Sequence, residues 1–220
     1  MKPFLIVSIV YFRAVEIINE VVQGLIDTSA LEWAGVIIGT FYLIFIAKKN
    51  RFGWFFAMVS TSIYIYLCYH AGLYIESALQ VFYFVMAIYG WFSWNKVSSK
   101  ERFIIRWPLK YHLINILVSS IITVLLGYIM VVFTDQKNPY LDAFSTVFSL
   151  VATFMVTQRV LENWIYWIVI DAALIFLYSA RGLHLTGFHY LVYTIIAIFA
   201  FFSWYKLYKA QKIENHIHRT

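Results

Sequence analysis

Apolar residues dominate the chain in blocks rather than in alternation, and the blocks are long. Runs able to cross a hydrocarbon core of ~30 Å, which takes about 20 residues each, recur at 30–48, 52–71, 76–95, 111–133, 140–158, 162–180 and 186–206. The pattern therefore predicts seven membrane-spanning helices. Between them stand polar stops: Lys48-Lys49-Asn50-Arg51, a basic linker from Asn95 to Lys110, Asp135 to Pro139, and Arg181-Gly182. Pro108 and Pro139 sit just before spans, where a helix tolerates them, and no proline falls within one.

The first 29 residues differ. An apolar run from Phe4 to Phe12 behind Lys2 resembles a secretory signal, but no small-residue cleavage site follows. Arg13, Glu16, Glu20 and Gln23 then fall at i, i+3, i+7 and i+10 beside Val15, Ile18, Val22 and Leu25. Such a stripe predicts an amphipathic helix lying at the membrane interface.

Composition agrees with a polytopic membrane protein: 62% of the 220 residues are hydrophobic and 13% charged, with a mean hydropathy of +0.75. Soluble proteins carry about 25% charged residues. Rings make up 20% of the chain, with eight Trp, 17 Tyr and 20 Phe, more than spanning alone requires. Some are expected at the interfaces and some against a flat ligand. The net charge of +6 sits in loops and tail, so it reports topology and implies no nucleic acid. Basic residues crowd the loops after the first, third and fifth spans and the C-terminal tail. The positive-inside rule then sets the N-terminus outside and the C-terminus in the cytoplasm. The single cysteine, Cys68, excludes an internal disulfide.

Sliding the chain against itself by 110 residues uncovers an internal repeat. Phe92-Ser93-Trp94-Asn95-Lys96 meets Phe202-Ser203-Trp204-Tyr205-Lys206; Ala87-Ile88 meets Ala197-Ile198, Tyr83 meets Tyr193, Gly72-Leu73 meets Gly182-Leu183, Leu67 meets Leu177, and Trp54 meets Trp164. Two three-span units flank a ring-poor central span, and the odd insert gives both the same orientation. The expected fold is all-α: two parallel three-helix bundles joined by a linking helix (3+1+3). The expected divisions are 1–29 (amphipathic helix), 30–95 (first bundle), 96–139 (cytoplasmic linker and linking helix), 140–208 (second bundle) and 209–220 (cytoplasmic tail). Parallel repeats with a site at their interface are a recurring plan for transporters.

Candidate chemistry concentrates at Asn163-Trp164-x-x-Trp167-x-x-x-Asp171. Trp164, Trp167 and Asp171 stand at i, i+3 and i+7, on one helix face. An acid in mid-span is costly and reads as functional. Together with the polar stretch of the third span, the candidate substrate-binding residues are Gln80, Tyr83, Trp91, Asn163, Trp164, Trp167 and Asp171. For Trp164, near the start of its span, an interfacial position fits equally well; for Tyr83 and Tyr193, so does packing. Trp94 and Trp204, each two residues before a lysine, are expected as interfacial anchors, and Glu162 as a residue favouring a helix start. His184 and His189, at i and i+5, make a poor metal pair, so no metal and no cofactor are expected. No nucleophile elbow, zincin motif or phosphate loop occurs, which argues against an enzyme. A seven-helix receptor would leave the repeat unexplained.

The segment Gln80-Val-Phe-Tyr83 to Tyr89-Gly90-Trp91-Phe-Ser-Trp94, with Glu162-Asn163-Trp164-x-x-Trp167-x-x-x-Asp171 and Tyr178, resembles the PnuC family of bacterial nicotinamide riboside transporters over about residues 30–208. The resemblance implies a fold akin to full-length SWEET sugar transporters, a homotrimer, and a multi-pass protein of the bacterial inner membrane. It also implies facilitated diffusion of the phosphate-free vitamin, retained by cytosolic phosphorylation. Prolines within the spans, a SWEET hallmark, are missing here, so the hinge mechanism does not carry over. Some relatives are similar to riboflavin or thiamine carriers, which leaves those vitamins as alternatives. A cationic pyridinium would sit over Trp164, Trp167 and Tyr83, with Trp91 as a second wall, while Gln80, Asn163 and Asp171 meet its carboxamide and hydroxyls.

Overall fold

The computed structural model describes residues 2–71, 74–95, 104–135 and 137–217, with side chains described over 15–71, 76–95, 104–135 and 137–214. Gly72-Leu73 of the repeat, Lys96, Lys100 and Arg102 of the linker, His218, and the side chains of Arg13 and His216 lie outside these. Eight helices account for nearly all of the described backbone: α1 (Lys2–Asp27), α2 (Ala30–Ala47), α3 (Phe52–His70), α4 (Tyr74–Asn95), α5 (Leu109–Phe133), α6 (Pro139–Thr157), α7 (Asn163–Ala180) and α8 (His184–Ile217). Judged on the described residues, six of them, α2, α3, α5, α6, α7 and α8, are both long and apolar enough to cross a membrane. α4 has the length, 22 residues, with Glu76 as its one charged residue. α8 runs on to Ile217, about three turns past the apolar stretch, because Lys206 to Glu214 are good helix formers.

Each helix begins and ends for a local reason. Ser29 and Glu32 close a capping box ahead of α2, with Ser29 N–H donating to the Glu32 carboxylate at 2.8 Å. α6 starts with Pro139 in its first turn, where its missing N–H costs nothing. The turns after α2 and α6 are copies of one another. Lys49 and Arg159, 110 residues apart, both take left-handed backbone conformations, with φ of 61° and 60°. Lys49 N–H bonds Ile46 O and Asn50 N–H bonds Phe45 O; Arg159 N–H bonds Val156 O and Val160 N–H bonds Met155 O.

α2, α3 and α4 pack in series, as do α6, α7 and α8, and the two groups meet where α2 packs on α8 and α4 on α6. Those two contacts are related by the same 110-residue shift. α5 packs on α6 and α1 on α8. With Leu113, Leu117, Ile121, Val124, Leu125 and Tyr128 all exposed, α5 is apolar on the side that faces away from the protein, as a lipid-facing helix is.

The principal core lies at the end of the molecule that carries the 48–51 and 158–162 turns. Trp54, Trp94, Trp164 and Trp204 form its centre. Trp54 meets Trp94 edge-on at 5.5 Å and Trp164 meets Trp204 edge-on at 5.4 Å, while Trp94 and Trp204 are 6.1 Å apart. The expectation that Trp94 and Trp204 anchor at the interface is therefore corrected. They are 5% and 0% exposed and donate to the carbonyls at the C-terminal ends of α6 and α2. An aromatic near a terminal lysine carries the same sequence signature whether it caps a neighbouring helix or floats in the headgroups.

Candidate functional site

The site is built outward from the start of α7. Glu162 occupies its N-cap position without a side-chain capping bond. Its carboxylate instead accepts from Arg106 Nε at 2.5 Å and Trp107 N–H at 3.4 Å, and the bond to Glu162 raises the Arg106 pKa further. A short parallel bridge reinforces the junction, with Ile105 N–H donating to Arg159 O at 3.1 Å and Leu161 N–H to Ile105 O at 2.8 Å. The linker is thus clamped to the turn that launches α7. Glu162 does more than favour a helix start, and its partner lies 56 residues away.

From that anchored start, Trp164, Trp167 and Asp171 present one face to α2 and α8. They line a cavity of about 70 Å³ with Tyr42, Tyr193 and Ala197. Asp171 is 3% exposed and has no ion-pair or hydrogen-bond partner among the described residues. Tyr42, Trp167 and Tyr193 also line a larger cavity of about 620 Å³, within the range of about 300–1,000 Å³ usual for small-molecule sites. Its walls are Thr40, Ser60, Tyr64, Gln80, Tyr83, Thr153, His189 and Tyr190, and Trp33, Leu25, Thr28 and Leu185 stand at the end that carries the 27–29 turn. Hydroxyls, an amide and an imidazole are thus spread among rings, and the carboxylate lines the smaller cavity on the other side of the shared Tyr42, Trp167 and Tyr193.

Small residues keep this space open. A Cβ on Gly39 would come 3.1 Å from Ser60 Oγ and 3.2 Å from the Tyr193 hydroxyl, so the glycine leaves both hydroxyls room. At the mouth, α1 is tied to α8 by His184 and Glu20, 3.2 Å apart. Tyr178 stacks on Tyr190 at 5.5 Å, stiffening one wall.

Of the residues expected from the sequence, Gln80, Tyr83 and Trp167 line the larger cavity and Trp164, Trp167 and Asp171 the smaller. Asn163 and Trp91 line neither. Asn163 is fully buried, its amide donating to Val160 O at 2.6 Å while its Oδ1 has no partner. Trp91 lies at the opposite end of α4, with the Arg51 guanidinium 5.0 Å above its ring and Phe52 edge-on at 5.6 Å. Tyr42, Tyr64, Tyr190 and His189 were not foreseen. Tyr193 was legible only as the repeat partner of Tyr83.

A helical membrane protein with a ring-lined cavity between two repeat-related helix groups, and one buried acid in a smaller cavity beside it, belongs to the class of small-solute transporters. Residues 29–206 match the family model described as nicotinamide mononucleotide transporter. The chain belongs to that family, which is one of membrane transporters rather than enzymes. It is 23% identical over 197 residues to the nicotinamide riboside transporter PnuC of Escherichia coli (strain K12), covering 77% of this chain and 82% of that one. It is 22% identical over 170 residues to the riboflavin/roseoflavin transporter RibM of Streptomyces davaonensis, covering 74% and 78%. A crystal structure of the vitamin B3 transporter PnuC superposes with a TM-score of 0.70 at 22% identity, over 91% of this chain and 93% of that chain.

Proposed function

We propose that this protein carries nicotinamide riboside across the bacterial inner membrane by facilitated diffusion, with cytosolic phosphorylation of the arriving vitamin driving net uptake. The observation that carries the reading is Asp171: a buried, unpaired carboxylate in the smaller cavity, walled by Trp and Tyr rings. A cationic pyridinium supplies the missing countercharge and stacks on those rings, each cation–ring contact contributing roughly 0.5–2 kcal/mol. Gln80, Tyr83, Trp167, Trp164 and Asp171 are assigned to the bound vitamin, with Tyr42 and Tyr193 beside them. Asn163 and Trp91, read from the sequence as a polar contact and a second wall, complete the assignment although neither lines a cavity in this structure.

In this reading the chain crosses the membrane seven times, α4 included, as two parallel bundles (30–95 and 140–208) around the linker and α5 (96–139). Residues 1–29 lie on the surface and 209–220 form the tail. The repeat-related packing of α2 on α8 and α4 on α6 supports a parallel arrangement. The N-terminus faces outward, the C-terminus lies in the cytoplasm, and the working unit is a homotrimer. Among the described residues no second acid lines either cavity with Asp171, which favours diffusion over ion coupling.

The test is titration of purified protein with nicotinamide riboside, thiamine and riboflavin, followed by uptake into vesicles with and without a proton or sodium gradient. Saturable uptake of nicotinamide riboside to the equilibrium level is expected. Accumulation above it would overturn diffusion, and binding without uptake would favour a receptor. A second reading, a riboflavin carrier, is favoured by the resemblance to RibM; a neutral flavin leaves Asp171 without a countercharge, and preferential riboflavin binding would establish it.

A further inference from the structure

A second large recess lies outside the central site. Between α5 and α6 runs an open groove of about 610 Å³ lined by Ile114, Val118, Leu150, Val151 and Phe154, with Asn115 partway along it and Trp107 and Tyr111 at its mouth. From Leu109 to Val118 a helix rises about 14 Å at 1.5 Å per residue, about half of a ~30 Å hydrocarbon core. The groove therefore runs the depth of one leaflet, the one bordering the basic turns.

Its mouth is built differently from its length. Lys110 is exposed, its ammonium 5.1 Å from the Tyr111 ring centre. Arg106 keeps 52% of its side chain exposed although Nε is bonded to Glu162. α5 begins after Pro108, which gives no side-chain cap; the Tyr111 N–H bonds Pro108 O at 2.9 Å, which leaves the Leu109 and Lys110 N–H groups at the start of a 25-residue helix for a ligand. Trp107 and Tyr111 are the rings expected at headgroup depth.

We propose that this groove is a specific site for an anionic phospholipid of that leaflet. One acyl chain lies along Ile114, Val118, Val151 and Phe154, and the phosphodiester sits against Lys110, Arg106 and the α5 N-terminus. Charge complementarity and the one-leaflet depth favour this occupant over a second copy of the chain, which would have to bury Lys110 and Arg106. Through Arg106 the headgroup also touches the clamp that holds the start of α7.

Native mass spectrometry of the detergent-purified protein, titrated with phosphatidylglycerol and with phosphatidylethanolamine, reads the site directly and is independent of which vitamin is carried. At least a fivefold preference for phosphatidylglycerol is expected. Lys110→Glu, at an exposed position that leaves the fold intact, is expected to abolish the preference, and Val151→Trp, which fills the groove, to remove the tightest-held lipid. No preference, or equal retention by wild type and Lys110→Glu, would overturn the proposal. So would a change of oligomeric mass in Val151→Trp with lipid retention unchanged, which would mark the groove as a contact between copies. Should Val151→Trp fail to fold, Val151→Met and Lys110→Glu decide it alone.

Discussion

The Trp204 indole donates to the carbonyl of Ala47 at 3.1 Å, so the last helix of one repeat closes the end of the first helix of the other. Trp94 makes the matching bond to Thr157 at 3.2 Å, and both pairs are separated by the same 110-residue shift. Helix C-terminal carbonyls have no partners within their own helix. Two buried indoles supply them here, which seals the end of the molecule opposite the cavity mouth.

The tryptophan cluster contains its own control. Trp54 and Trp164 are as deeply buried as Trp94 and Trp204, but their indole N–H groups have no partner among the described residues. Trp54→Phe removes ring volume alone, whereas Trp94→Phe removes volume and a hydrogen bond. Trp94→Phe is expected to cost about 1 kcal/mol more, read as the difference in unfolding free energy in detergent. Equal losses would mean that the bond to Thr157 contributes nothing.

Gly90 is packed face to face with one of these rings. A Cβ there would lie 2.4 Å from the Trp54 indole, and both groups sit in the core with nowhere to retreat. Gly90→Ala is expected to destabilise by about 1–3 kcal/mol through overpacking. Ala200, its repeat partner, already carries the methyl group that Gly90 lacks and is 1% exposed. A thermal midpoint for Gly90→Ala equal to that of wild type would mean that the cluster is looser than drawn.

Sequence pattern reached the repeat and, through it, the equivalence of Trp54 with Trp164 and of Trp94 with Trp204, because a register kept over dozens of residues is hard to reach by chance; that Trp54 touches Trp94 and Trp164 touches Trp204 came only from the structure. It also reached the face shared by Trp164, Trp167 and Asp171, since helical spacing alone decides that. The burial of Trp94 and Trp204 was not legible, because hydropathy does not separate a capping indole from a headgroup indole. Tyr42, Tyr64 and Tyr190 were hidden among 17 tyrosines; which of them border the cavity depends on how the two bundles are set against each other. The pairing of Arg106 with Glu162 joins a loop to a helix start and leaves no periodic trace.

Asp171 separates binding from stability. Asp171→Asn keeps the shape and replaces a buried acid that has no protein partner with an amide that cannot ionise, so the thermal midpoint is expected to hold or rise. Nicotinamide riboside, if it is the substrate, should then bind at least tenfold more weakly, about 1.4 kcal/mol. Unchanged titration curves, with membrane insertion normal, would remove the carboxylate from the site.

The left-handed turn residues offer a gain instead of a loss. Lys49 holds φ at 61°, a region in which a β-carbon costs roughly 1–2 kcal/mol per residue and glycine costs little. Lys49→Gly is expected to raise stability by up to about 1 kcal/mol, the gain trimmed by the extra freedom glycine brings to the unfolded chain. Arg159→Gly should gain less or lose, because Arg159 also donates to Ser93 O at 3.1 Å. The ordering of the two variants in a thermal melt checks both halves of the argument.

Arg106 and Glu162 fix the linker to the start of α7, and their exposures differ: 52% against 10% of the side chain. The arginine can be hydrated when released, but the carboxylate cannot. Arg106→Ala is therefore expected to cost more than Glu162→Gln, about 1–2 kcal/mol, between the values usual for surface and buried pairs. In the double variant part of that loss should return, giving a coupling of about 1 kcal/mol in a double-mutant cycle. If the two losses simply add, the pair is solvated and the linker is held by its backbone bonds, the bridge between Ile105 and Val160 and the Ile104 N–H bond to Gln211 Oε1. If they couple, Arg106→Ala should also weaken substrate binding, because Trp164 and Trp167 are positioned from that same end of α7.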